Sequence, residues 1–251
     1  MISDAPRSLG AASVLRERLM MRHSSPTAAP LTAWVERLID SRANAGLIAE
    51  VPTFDPADAG INAHVLLLLE APGPMTNALN SRPGSGFISS DNDDSTAENL
   101  WHARQAAGLV DYTLLWNIVP WYLGPADKKP KVSDLRAGAK TLRELISMLP
   151  ELHTVVTLGV IPRNGWTRFG RPNLGTAMRT IETWHPSQLA MNQPGKREHL
   201  TKALTRANRD WRHDDANDRA IATDHNREGS TVAQWHTNAD GDRIDIHPRW
   251  R

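Results

Sequence analysis

The chain of 251 residues contains no cysteine. Disulfides, thiolate zinc sites and iron–sulfur clusters are therefore excluded. Aromatic side chains other than tryptophan are scarce, with three phenylalanines and two tyrosines against nine tryptophans, and several of those tryptophans adjoin polar candidate residues. No charge excess exists either. Lys and Arg number 29, Asp and Glu 28, for a net charge of +1, so any argument for nucleic acid must rest on local clustering. No apolar run is long enough to span a bilayer. The first residues lack a secretory apolar core, because Arg16, Glu17 and Arg18 interrupt it. A cytoplasmic protein without a membrane partner is the expectation. GxSxG, GxGxxG and GxxxxGK[ST] motifs are all missing, which leaves a general α/β hydrolase or nucleotide-binding enzyme without its characteristic chemistry.

What is present is organised around Val65–Leu69, a short unbroken apolar run that reads as a strand buried on both faces. Glu70 follows it, and Ala71-Pro72-Gly73-Pro74 must turn. Strands are also expected at Thr113–Val119, Thr154–Leu158 and Thr180–Trp184. Helices are expected over Leu31–Ile48 with Thr32 as cap, Ala97–Gly108 capped by Ser95 or Thr96, Ser133–Leu149 and Glu198–Trp211. Such alternation predicts right-handed βαβ crossovers and an α/β fold with a central, mainly parallel four-stranded sheet between helical layers. Residues 1–30 read as a weakly ordered, flexible arm that can hold a short helix over Ala11–Met21, 31–212 as the domain, and 213–251 as a polar extension. Within that extension, Thr231–His236 and Arg243–His247 alternate about a turn and predict a β-hairpin, placed at the sheet edge.

In a parallel sheet the carboxyl ends of the strands share one edge, where ligands bind. Glu70, Asn117, Gly159 and His185 follow the four strands and can converge there. Glu70 can orient water or stabilise positive charge. Asn117 offers the donor and acceptor that read an amide-like ring edge. Phe87 can stack on such a ring, His185 can face a developing anion, and Ser187 can meet a phosphate. Each also has a plainer reading: Glu70 as a solvated loop residue, His185 as a structural histidine, Asn117 as a turn former, and Phe87 as core beneath a loop.

In order and spacing, LEAPGP, GFISSDN, LLWNIVPW and WHPSQLAMN together resemble the uracil-DNA glycosylase superfamily over residues 50–210, most nearly its branch with a GEAPG-type first motif and a terminal HPS motif. The resemblance implies a three-layer α/β/α glycosylase fold that needs no cofactor or metal and acts as a monomer. It implies that this fold flips uracil or other deaminated bases out of DNA and hydrolyses the N-glycosidic bond. Glu70 and His185 would then be catalytic; Ala71, Gly73, Phe87 and Asn117 would bind the base. Ser187 would contact a phosphate, with Gln188 and Leu189 entering the minor groove and Leu189 as wedge. The chain departs from the family pattern in having Leu69 where the first motif opens with glycine, which suggests a different backbone path there. It also lacks the four cysteines of cluster-bearing relatives. Asp91, Asp93 or Asp94 could share or take over the carboxylate role. Two basic regions support DNA contact, one formed by Lys128, Lys129, Lys131, Arg136, Lys140 and Arg143. The other contains Lys196, Arg197, Lys202, Arg206, Arg209 and Arg212. The rival reading is a non-catalytic DNA- or base-binding protein on the same fold.

Overall fold

A computed structural model describes residues 4–76, 84–124, 129–171, 178–228, 236–237 and 243–244, with side chains up to residue 212. Helix α1 is Ala12–Ser24, α2 Ala29–Asn44, α3 Ser95–Ala106, α4 Val132–Ser147, α5 Val160–Gly165, α6 Gln188–Met191 and α7 Lys196–Glu228. Strands β1, Thr53–Phe54, and β3, Phe87–Ile88, form a short parallel pair. The main sheet contains β2 (Val65–Leu69), β4 (Thr113–Asn117), β5 (Thr154–Leu158) and β6 (Arg179–Thr183) in the order β4-β2-β5-β6, and all pairings are parallel. The expected α/β architecture with a four-stranded parallel sheet flanked by helices is what the chain adopts.

The apolar runs explain why β2, β4 and β5 occupy the centre. Val65 to Leu68 have no exposed surface, and Leu114, Trp116, Val155, Val156 and Leu158 are equally enclosed. A parallel sheet is stable only when helices cover both faces. Trp116 stacks on Phe54 at 4.3 Å and meets Trp34 at 5.5 Å, so the indoles are largely core material. Helix α4 approaches β4 so closely that a Cβ on Gly138 would fall 1.9 Å from the Ile118 carbonyl oxygen.

From β2 the chain goes outward to β4, whereas from β5 it goes the other way to β6. The order therefore reverses between β2 and β5, and the crevice outside their carboxyl ends is where this topology places ligands.

Several boundaries differ from expectation. Asp94, rather than Ser95 or Thr96, caps α3 by accepting from the Thr96 and Ala97 N–H groups at 2.8 and 2.9 Å. Thr32 lies inside α2 and donates to the Arg22 carbonyl at 2.9 Å instead of capping. The segment expected as a flexible arm carries α1 and packs onto the domain. Leu9 is buried, and buried Arg18 reaches Asp55 and Asp91 at 3.2 Å each. The helix agrees with the one expected over Ala11–Met21, but its packing is concealed by a mixed polar sequence, because a buried leucine and a buried arginine anchor it rather than an apolar face. Met1–Trp211 form one compact unit and Arg212–Arg251 a second. In the latter, β7 (His236–Thr237) and β8 (Arg243–Ile244) pair antiparallel with each other in a two-stranded ladder of their own; the rest of the expected hairpin lies outside the described residues. Among the described residues no helix is long and apolar enough to cross a membrane.

Candidate active site

The ladder between β2 and β4 continues past both strands. Leu69 pairs with Asn117, Ile118 N–H donates to the Leu69 carbonyl at 2.8 Å, and Val119 N–H donates to the Glu70 carbonyl at 3.0 Å. Glu70 is thus fixed beside Asn117 by backbone bonds. Leu69, where the family motif opens with glycine, lies in a regular strand, and its side chain adds to the wall of the cavity described below. The Glu70 carboxylate accepts from Lys129 Nζ at 3.2 Å; Lys129 is mostly exposed and Glu70 is not.

On the other side of the switch point, Gly159 ends β5 with φ of 110° and donates its N–H to the Thr183 carbonyl at 2.9 Å. A Cβ there would lie 3.0 Å from the His185 Cβ. Only glycine both adopts this backbone and leaves the imidazole its position. The His185 Nδ1 accepts from the Ser187 N–H at 3.1 Å, so the proton of the neutral ring is on Nε2. Burial holds His185 below the ordinary imidazole range, Lys129 adds to that, and Glu70 and Asp94 oppose it. The ring is accordingly a neutral donor.

Asn117 and His185 face a cavity of about 310 Å³, whose wall includes Ala71, Pro72, Gly73, Ile88, Asn92 and Asp94. This lies at the small end of ligand pockets, roughly 300–1,000 Å³, and suits one ring better than a large ligand. Asn117 is buried, and among the described residues its amide has no hydrogen-bond partner. A larger cavity of about 570 Å³ lies between α2 and the approach to β1, lined by Val35, Ile39, Val51 and Tyr122 among others. It contains none of the residues at the carboxyl edge, so chemistry and topology, not size, select the smaller one.

The structure redistributes several expected roles. Phe87 is fully buried and does not line the cavity; Ile88 does. Neighbouring strand residues point to opposite faces, so only one of the two can meet a ligand, and Phe87 takes its core alternative. Asp91 is fully buried against Arg18, and Asp93 pairs with Arg7 at 3.4 Å. Neither lines the cavity; Glu70 is not in its wall either, but its charge acts on His185 together with that of Asp94. Asp94 does line it, with one carboxylate oxygen engaged in capping α3.

Ser187 precedes α6 without using its hydroxyl as a cap. Gln188 is exposed, and Leu189, at 80%, is the most exposed large apolar side chain of the described residues. Lys196 Nζ sits 3.7 Å over the Trp184 ring. Arg197 donates to the Asn99 side-chain oxygen at 2.7 Å, and Asn99 donates to the Pro186 carbonyl at 2.9 Å. Asn99, unremarkable in the sequence, thereby ties α3, the His185 loop and α7 together. Further along α7, Lys202 pairs with Glu198, and Arg206 and Arg209 with Asp210, so that basic face is partly neutralised. Lys128 lies outside the described residues.

The family model described as the Uracil DNA glycosylase superfamily matches residues 56–210. The chain belongs to that superfamily. No curated protein matches it. Superfamily membership implies a DNA glycosylase of base excision repair, a hydrolase whose substrate is damaged DNA. The matched span runs from the turn after β1 into α7, and so includes every strand of the main sheet and every element of the cavity.

Proposed function

We propose that the chain is a monofunctional uracil-DNA glycosylase, of the branch with a GEAPG-type first motif, that hydrolyses the N-glycosidic bond of a flipped uracil or other deaminated base. The observation that carries this reading is the unpartnered Asn117 amide, enclosed in a ring-sized cavity with a neutral His185 that donates from Nε2. A base cannot be attacked inside a duplex, and extruding it costs a few kcal/mol, least for a mispaired base. Asn117 supplies the donor and acceptor for its Watson–Crick edge. Exposed Leu189 fills the emptied stack, which offsets part of the unstacking. Ile88 offers an apolar wall to the base in place of the expected Phe87 ring.

In the hydrolysis, the bond from C1′ to the base breaks and its electron pair leaves with the base. The sugar becomes oxocarbenium-like, a cation that a nearby carboxylate favours. Glu70, between the cavity residues Leu69 and Ala71 in sequence, is the carboxylate assigned to orient the water that adds to C1′ and to take its proton, while His185 hydrogen-bonds the base oxygen on which the negative charge develops. The exposed pair of Lys129 with Glu70 is of a type worth about 0–1 kcal/mol, so Lys129 can leave for a DNA phosphate at little cost.

The test is a labelled oligonucleotide with one uracil opposite guanine, incubated with wild type and with Glu70→Gln and Asn117→Ala variants, then heated in alkali to cut abasic sites. Parallel duplexes carry hypoxanthine or xanthine. Cleavage by wild type with losses of orders of magnitude in both variants supports the reading. DNA binding without release of any deaminated base would instead establish the non-catalytic rival.

A further inference from the structure

The edge of the sheet opposite the cavity carries a cluster that base excision does not use. His64 directly precedes β2 and His153 directly precedes β5. These strands are neighbours, with Val65 paired to Thr154, so the two histidines stand side by side. The backbone holds them there: the His64 carbonyl accepts from the His153 and Thr154 N–H groups at 3.0 and 3.1 Å, and His64 N–H donates to the Tyr112 carbonyl at 2.9 Å. The imidazoles are parallel within 3°, with centroids 5.7 Å apart. The buried His64 ring also packs against Tyr112 at 5.0 Å and Trp211 at 4.7 Å, which limits its movement. Glu151 is exposed in the turn after α4, and one donor atom from each of the three residues lies within 4.8 Å of the others.

We propose that His64, His153 and Glu151 bind one divalent transition-metal ion of the zinc type. Three atoms so spaced share a point no more than about 2.8 Å from each, against bonds of about 2.0–2.2 Å for zinc with imidazole nitrogen or carboxylate oxygen. Rotation of exposed Glu151 and half-buried His153 closes the difference. Two imidazoles on a tetrahedral ion hold their centroids about 5 Å apart by the same bond lengths, close to the separation already present. Two nitrogen donors and one carboxylate discriminate against magnesium and calcium, which take oxygen ligands, and water completes the fourth position. The ion clips together the starts of the two central strands. Because it binds the folded chain, it raises stability by mass action. Five-residue strands separate this edge from the cavity by about 16 Å, so the ion takes no part in excision.

The experiment uses full-length protein stripped with chelator, then titrated with Zn²⁺ against a chromophoric competitor, with Co²⁺ as the spectroscopic probe and Mg²⁺ as control. Wild type is expected to bind one equivalent, to melt at higher temperature with Zn²⁺ but not Mg²⁺, and to give the intense visible bands of four-coordinate cobalt. His153→Ala abolishes all three. Glu151→Gln, at an exposed position that does not threaten folding, weakens binding about tenfold or more. Zinc binding that is absent from wild type, or unchanged in both variants, overturns the proposal. Uracil release, followed in parallel, is unaffected by His153→Ala.

Discussion

The two edges of the parallel sheet differ in what their most enclosed polar side chains meet, although the amino-terminal edge also leaves Asp58 Oδ2 and Thr154 Oγ1 buried without a hydrogen bond. At the amino-terminal edge, Arg104 has no exposed surface. It donates to Asp58 at 3.2 Å, to Ser90 Oγ at 2.8 Å, to the Leu109 and Val110 carbonyls at 3.2 Å, and to the Thr113 hydroxyl at the start of β4. At the carboxyl edge, Asn117 is also buried, but its amide faces the cavity and is left for a ligand. A satisfied buried group contributes to the folded state, whereas an unsatisfied one costs stability and is retained where a ligand completes it. Histidines stand at both edges: His185 is a neutral donor facing the cavity, while His64 and His153 lie parallel to each other at the opposite edge.

Removing Arg104 would break the first edge most severely. Arg104→Ala leaves Asp58 buried without its cation and should cost about 3–5 kcal/mol, read as a lower urea midpoint. Burial already pushes the Asp58 carboxyl up to about 7 against the pull of Arg104, so adding Asp58→Asn should recover part of the loss. At the second edge, His185→Ala should lower the excision rate about 10²–10³-fold with an unchanged melting temperature, measured under single turnover. Equal damage to stability would mean that His185 is structural and the comparison fails.

Gly159→Ala sharpens the comparison at one backbone position. A methyl group 3.0 Å from the His185 Cβ, on a backbone with positive φ, should displace the imidazole and reduce excision up to about 10²-fold, with KM changing less than kcat. The smallest effect concerns pH. Because His185 is held below its ordinary value of 6.5, excision should not decline as pH falls through 6.5, as a rate profile would show. The unfolded chain takes up that proton near 6.5 and the folded chain only lower. Above 6.5 that proton has no effect on stability; as pH falls from 6.5 toward the folded value of His185 the fold loses stability, a loss that thermal melts across that window would show in wild type and not in His185→Ala.

Much of this was legible in residue pattern. Val65–Leu69 and Thr154–Leu158 are apolar enough for burial on both faces, and those strands occur where expected. The polar residues that follow the strands do gather at one edge, since parallel pairing leaves them no other arrangement. The errors share one cause. Phe87 and Ile88 are adjacent and both apolar, so composition cannot say which faces the cavity. On sequence alone Asp91 is open to a catalytic role, because nothing local marks an aspartate that will be buried against an arginine dozens of residues away, as it is against Arg18.

The sequence by itself determined the α/β class, the strand ends on which Glu70, Asn117 and His185 sit, and the family to which the chain belongs. These follow from local periodicity, turn residues and short ordered motifs. Only the tertiary structure decided which aspartates are engaged by arginines, that Ile88 rather than Phe87 meets the cavity, that Gly159 makes room for His185, and that His64 meets His153. Each is a contact across many residues of chain, set by strand register and packing, which no local pattern encodes.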